Sequence, residues 1–144
     1  METRVRVAAL IIHDDRVLLV SAKSSPDHLV PPGGGLEAGE TLVEAIEREV
    51  REEAGVAIEG GELMAFGETI RDGGTQLELY FAARLTQDPP SEAGVSEENR
   101  QVRWVALSAL PSTLHFPEQL SELCERVRGQ TVGPLYLGCR ELPS

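Results

Sequence analysis

The spacing of apolar and polar positions along this chain switches between two periods, and the switch points mark its elements. From Arg4 to Ile12 the pattern is an imperfect alternation rich in valine, alanine and isoleucine. Val17 to Val20 is a second apolar run. His13-Asp14-Asp15-Arg16 lies between them and reads as a turn, so the two runs predict a β-hairpin. Ser24-Ser25-Pro26-Asp27 reads as a loop, as does Pro31-Pro32-Gly33-Gly34-Gly35, stiff at its prolines and permissive at its glycines. The period then lengthens. Leu42, Ile46 and Val50 recur every fourth residue, with Val43 and Ala45 beside them, which predicts an amphipathic helix. Thr41 suits its N-cap and Glu44 completes a capping box. Gly55 sits where a left-handed C-cap is expected.

Beyond Gly55 the period returns to two. Val56–Ile58 and Glu62–Phe66 read as short strands. Glu68–Arg71 and Gln76–Leu85 flank Asp72-Gly73-Gly74, a hairpin-turn sequence. Leu77, Leu79, Phe81, Ala83 and Leu85 share one face of the second strand. Residues 87–99 read as a long acidic loop, a feature that is often functional in a small domain. Gln101–Ala106 is a strand around Trp104, and Pro117–Arg128 a second helix with Leu120, Leu123 and Val127 facing inward. With no repeat or linker, 144 residues predict a single domain over 1–144. Strands interleaved with helices, including two hairpins, predict an α/β (α+β) fold with a mixed β-sheet sandwiched between helices.

Composition narrows the function classes. Hydrophobic residues make up 41% of the chain, enough for a core, yet none of its apolar runs reaches the length of a membrane span. The start, METRVRVAALII, is basic and then apolar, but His13, Asp14 and Asp15 end the run early and no small-residue cleavage site follows. A cytoplasmic protein is expected. A net charge of −11 argues against a nucleic-acid partner, whose backbone calls for basic patches. It leaves room for a small phosphorylated substrate whose charge is bridged by metal ions. Cys124 and Cys139 lack metal or redox spacing and read as buried or half-buried thiols.

The stretch from Gly34 to Val56, GGLEAGETLVEAIEREVREEAGV, carries the chemistry. Glu49, Glu52 and Glu53 stand at i, i+3 and i+4 on one helical turn, away from most of the apolar stripe. Like charges at this spacing cost roughly 0.2–0.5 kcal/mol per pair. Hard divalent cations, which prefer oxygen ligands, would reverse that repulsion.

Gly34, Glu40, Arg48, Glu49, Val50, Glu52, Glu53, Gly55 and Val56 meet every fixed position of G-x5-E-x7-R-E-U-x-E-E-x-G-U, where U is bulky and aliphatic. The segment resembles the signature of the Nudix hydrolases, the MutT-like family. A chance match is on the order of one in 10⁸ per starting point at ordinary residue frequencies. The resemblance implies a Nudix fold and metal-dependent hydrolysis of a nucleoside diphosphate linked to another moiety, with Mg²⁺ or Mn²⁺ as cofactor and water attacking phosphorus. It makes Glu52 and Glu53 the principal metal ligands, and Glu49 a further ligand or the base that deprotonates water. The Gly33 carbonyl is the backbone oxygen best placed to join them. Arg48 is placed to pair with Glu52 at i+4 and steady the carboxylates; Glu40 is expected to support the loop. Many similar proteins add an acid from a loop outside the motif, for which the acidic loop offers Glu97 and Glu98, Glu98 being favoured. A homodimer is common in the family; no feature of this sequence decides it.

The remaining candidates have plainer readings. His28 reads as surface imidazole, and His13 and His115 have no functional case. Lys23, Arg71 and Tyr80 could touch phosphate or base, but structural or exposed roles are the simpler account. Trp104 and Phe81 read as core. Ser24 and Ser25 lack the pattern of a serine hydrolase. The expected substrate is a small nucleotide derivative, such as a nucleoside triphosphate or a nucleotide sugar. Capped RNA ends are disfavoured by the net acidity. A non-catalytic nucleotide-sensing domain would be expected to lose a helix glutamate, and none is lost. Pro31-Pro32 departs from the commoner aliphatic-proline step of the family.

Overall fold

Strand β1 (Thr3–His13) runs through the interior of a mixed sheet, and its near-continuous apolar sequence follows from that place. The structure is a computed structural model that describes residues 2–23, 25–88, 94–95, 100–131 and 133–141. Val7, Ala9 and Ile11 point to one face and pack with Ala45, Ile46 and Val50 of helix α1 (Leu42–Ala54). Ala8 and Leu10 point to the other and pack with Leu110 and with Leu120 and Leu123 of helix α2 (Leu120–Arg128). Strand β2 (Arg16–Ser21) splits in the same way, Leu18 and Val20 against Val17 and Leu19. A sheet covered on both faces needs apolar residues at every position, which is why the alternation read from sequence is imperfect.

Strands β3 (Leu29–Val30) and β4 (Gly33–Gly35) pair with β2 and β1 respectively. After α1 come β5 (Ile58–Arg71), β6 (Gly74–Leu85), β7 (Gly94–Val95), β8 (Gln101–Ala106) and β9 (Leu135–Glu141). Among the described residues the order is β7-β8-β2-β1-β6-β5-β9, with β1–β6 and β5–β9 parallel. The mixed sheet between helices is as expected.

Both predicted hairpins close on two-residue turns. His13 faces Arg16 and Arg71 faces Gly74, while Asp14 (φ 49°), Asp15 (φ 58°), Asp72 (φ 53°) and Gly73 (φ 76°) take left-handed backbone. Turns of this hand match the twist of the strands they join. The helix signals also hold. The Glu44 N–H donates to Thr41 Oγ1 at 3.1 Å and the Thr41 N–H to Glu44 Oε1 at 2.8 Å. Gly55 ends α1 at φ 70°.

Other expectations need correction. Of the expected strands, Val56–Ile58 is absent but for Ile58, and Glu62–Phe66 and Glu68–Arg71 are parts of one strand, β5, with register shifts between Gly60 and Ala65. A Cβ at Gly60 would stand 3.0 Å from Val43 Cγ1, and one at Gly61 3.0 Å from the Ala82 carbonyl oxygen. The two glycines therefore serve close packing within one strand. Helix α2 begins at Leu120 rather than Pro117, preceded by a short 3-10 helix, Leu107–Ser112. Strand β9 was not anticipated, and it leaves Cys139 exposed while Cys124 is buried. No helix among the described residues is long and apolar enough to cross a membrane.

Candidate active site

Strand β4 pins the glycine loop against the sheet and presses it onto α1. Gly33, Gly34 and Gly35 pair with Ala8, Val7 and Arg6. A Cβ at Gly33 would overlap the Val7 carbonyl oxygen, and one at Gly34 would overlap the Glu49 carboxylate. These glycines are required by close approach from two sides. The Gly33 N–H donates to Glu53 Oε1 at 2.7 Å, joining loop to helix.

Arg48 is the hub of the exposed side. Its Nε and Nη2 donate to the two oxygens of Glu40 at 2.6 and 3.0 Å, a bidentate pair. Nη1 reaches Glu49 Oε1 at 2.9 Å and Glu52 Oε2 at 3.4 Å, and Nη2 donates to the Gly35 carbonyl at 3.1 Å. The contact expected from i+4 spacing is thus the longest of these hydrogen bonds, and Glu40, eight residues back, is the main partner. The hydrogen bond from Arg48 and a second from the Glu37 N–H hold the Glu40 carboxyl below its usual value. Glu40 in turn raises the guanidinium's own.

The three motif glutamates occupy different environments. The Glu52 side chain is 46% exposed, Glu49 13% and Glu53 1%. The helix sets their angular spacing on one face, as expected, but the β4 loop and Arg100 cover Glu53 and leave Glu52 half exposed. The Arg100 guanidinium forms an ion pair with Glu53 Oε2. Arg100 is itself buried, its Nε donating to the Ser21 carbonyl at 2.7 Å. Burial pulls the guanidinium below its usual value. Arg100 went unnoticed in the sequence because nothing in its local pattern separates it from any arginine at a strand edge.

The described residues contain no group of three or more His, Cys, Asp or Glu poised to hold a metal ion. Guanidinium groups neutralise the carboxylates instead. The donor set still suits a hard cation: carboxylate oxygens on one helical turn, backbone carbonyls in a glycine loop, and the buried Glu53 carboxylate between them.

Beside Glu49 and the glycines opens a cleft of about 880 Å³. Lys23 and Arg71 are exposed and Tyr80 is buried, as read from sequence, and all three line the cleft. Its floor holds Glu78, which accepts from Thr69 Oγ1 at 2.5 Å and from the Tyr80 hydroxyl at 3.1 Å. Burial first, then Glu78, raises the Tyr80 phenol above its ordinary value. Glu78 carried no signal in the sequence beyond its place on a strand. His28 is stacked on Phe116 at 4.6 Å rather than exposed. Phe81 and Trp104 pack in the core cluster beneath α1, as expected. Glu97, Glu98 and Ser24 lie outside the described residues.

The NUDIX domain family model matches residues 2–124. The chain is 33% identical over 142 residues to the 8-oxo-dGDP phosphatase NUDT18 of Homo sapiens, a match covering 95% of this chain and 43% of that protein. It is 46% identical over 59 residues to the human diphosphoinositol polyphosphate phosphohydrolase NUDT4B, covering 41% of this chain and 33% of that one. The chain thus spans less than half the length of these curated relatives. Among solved structures, a NUDIX hydrolase from Nitrosomonas europaea superposes with a TM-score of 0.73 at 25% identity, covering 91% of this chain and 92% of that one. The glycine loop locked to an acidic helix, the mixed sheet that carries it and the match over residues 2–124 agree: the chain belongs to the Nudix hydrolase family.

Proposed function

We propose that this chain hydrolyses the pyrophosphate bond of a small nucleotide derivative with the help of divalent cations. The observation that carries the reading is the juncture of the Gly33–Gly35 loop with Glu49 and Glu53 at the wall of the cleft. Glu52, Glu53 and Glu49, with the Gly33 carbonyl, would hold Mg²⁺ or Mn²⁺ through oxygen. When bound, such ions neutralise charge on the phosphates and lower the pKa of a bound water.

The chain's own residues account for the rest. Arg48 fixes Glu40, Glu49 and Glu52 relative to the Gly35 carbonyl, so the loop and helix present their oxygens as one rigid edge. Glu49 is the candidate base, with Glu98 as a further acid from the 87–99 loop. The base takes a proton from water, the water oxygen bonds to phosphorus, and the bridging P–O bond breaks with its electron pair leaving on the departing phosphate. Arg100 pairs with Glu53 and holds its carboxylate beside the glycine loop. The relatives' names, an 8-oxo-dGDP phosphatase and a diphosphoinositol polyphosphate phosphohydrolase, support a substrate with phosphates in tandem.

A phosphate-release screen over nucleoside di- and triphosphates, nucleotide sugars and dinucleotides, with Mg²⁺ and with Mn²⁺, tests the reading. Turnover of at least one class, abolished by EDTA, is the expected result. Tight nucleotide binding with no turnover under any condition would replace it with the sensing role.

A further inference from the structure

The chain carries a net charge of −11, yet six of its 13 Lys and Arg residues line the cleft, against four of its 24 Asp and Glu. Strand register shows how the basic residues are set out. Arg4 on β1 pairs with Gln76 on β6, Gln76 with Thr69 on β5, and Thr69 with Arg140 on β9. These four side chains form one row across four strands, all on the cleft face. The next row inward is Arg6, Glu78 and Gly67, and the one after it Ala8, Tyr80 and Ala65. The face therefore passes from apolar core to a cationic rim, with Arg71 at the hairpin end beside the outermost row.

Among the described residues Arg4, Arg6 and Arg71 have no ion-pair partner, and Arg140 meets Glu78 only at 4.0 Å. Thr69 and Tyr80 already bind Glu78, which fixes its carboxylate against its own wall of the cleft. A protein with this excess of acid has carboxylates to spare for its arginines. Leaving several of them unpaired in one concavity costs self-repulsion that an anionic ligand would relieve.

From this row we infer a second anion subsite in the cleft, formed by Arg4, Arg71 and Arg140 with Gln76 as a hydrogen-bonding partner, which takes a phosphate group other than those being cut. Guanidinium forks match phosphate oxygens two at a time, a fit that lysine lacks. Arg6 pairs with Gly35 in the β1–β4 register, and Arg4 lies two residues further along, about 7 Å of strand rise. That separation suits a substrate whose phosphates continue past the glycine loop. The claim about substrate class rests on the hydrolase reading above; the subsite itself does not.

Titrating the ¹⁵N-labelled, metal-free protein with inorganic phosphate, followed by NMR, tests the subsite. Saturable shifts are expected at Arg4, Thr69, Gln76 and Arg140, weakening with added salt and lost in Arg4→Ala/Arg140→Ala. Arg4→Lys should retain part of the response, since the charge survives and the fork does not. With Mg²⁺ present, kcat/KM for a nucleoside triphosphate should exceed that for the diphosphate by about tenfold, and the double variant should erase that ratio. Shifts confined to Gly33–Gly35, or unchanged in the double variant, would overturn the subsite. Equal kcat/KM for the two substrates would overturn the substrate class. Clear shifts at the row with no hydrolysis of any nucleotide would uphold the subsite and sink the hydrolase reading alone.

Discussion

Glu53 shows how one residue answers to two demands. Its carboxylate is buried, tied to the Gly33 N–H and paired with Arg100, and it is also the proposed cation ligand. Glu53→Gln keeps the shape but leaves Arg100 without its counter-charge. Breaking one side of a buried pair costs about 3 kcal/mol, so the variant should stay folded while its urea midpoint falls clearly. Turnover should drop by at least about 100-fold. A variant that folds and hydrolyses nucleotides at near wild-type rate would remove Glu53 from the site. The two cysteines divide as sharply. Burial pushes the Cys124 thiol up to about 12, while Cys139 is exposed on β9. A thiolate-trapping reagent at neutral pH should modify Cys139 alone in the native protein and both thiols in denaturant. Rapid modification of both in the native state would contradict the packing of α2.

At the scale of elements, the glycine loop is where strand, helix and chemistry meet, and its glycines are not equivalent. A Cβ at Gly33 meets backbone, the Val7 carbonyl, which cannot move without breaking the β1–β4 ladder. A Cβ at Gly34 meets only the end of the Glu49 side chain, which can swing aside. Gly33→Ala should therefore cost stability, roughly 3 kcal/mol by thermal or urea unfolding. Gly34→Ala should keep most of the stability and lose activity, because the displaced carboxylate is part of the proposed site. Equal loss of stability in the two variants would show that Glu49 is locked rather than yielding. The same element carries the Thr41–Glu44 capping box, which orients the start of the helix that bears all three glutamates.

For the whole molecule, two groups in the interior tie stability to alkaline pH. Cys124 and Tyr80 both keep their protons in the fold beyond the point at which an unfolded chain releases them. Each contributes stability that is complete below its unfolded ionisation, pH 9.0 for the thiol, and that is lost as pH rises towards its folded value, about 12 for Cys124. Unfolding free energy should decline above pH 9.0, and Cys124→Ala should flatten the decline while lowering the plateau through lost packing. A slope unaltered by Cys124→Ala, measured by urea unfolding between neutral pH and pH 10, would assign the alkaline limb elsewhere.

Some of this was decided by the sequence alone. Both hairpin turns, the span of α1 with its two caps and the angular spacing of Glu49, Glu52 and Glu53 depend on residues within about four positions of one another, where backbone propensity and side-chain capping decide. The family motif could be read for the same reason, since it lies on one loop and one helix. Other features arose only in the tertiary structure. Gly33 meets Glu53 across 20 residues, and Arg100 reaches Ser21 across 79. Gly60 and Gly61 within β5 allow close approach to Val43 and Ala82. Edge strand β9 and the arginine row exist only because parallel pairing brings distant segments into register. Register and burial are settled by packing the whole chain at once, so the pairing of Glu53 with Arg100 and the cationic rim of the cleft left no local trace.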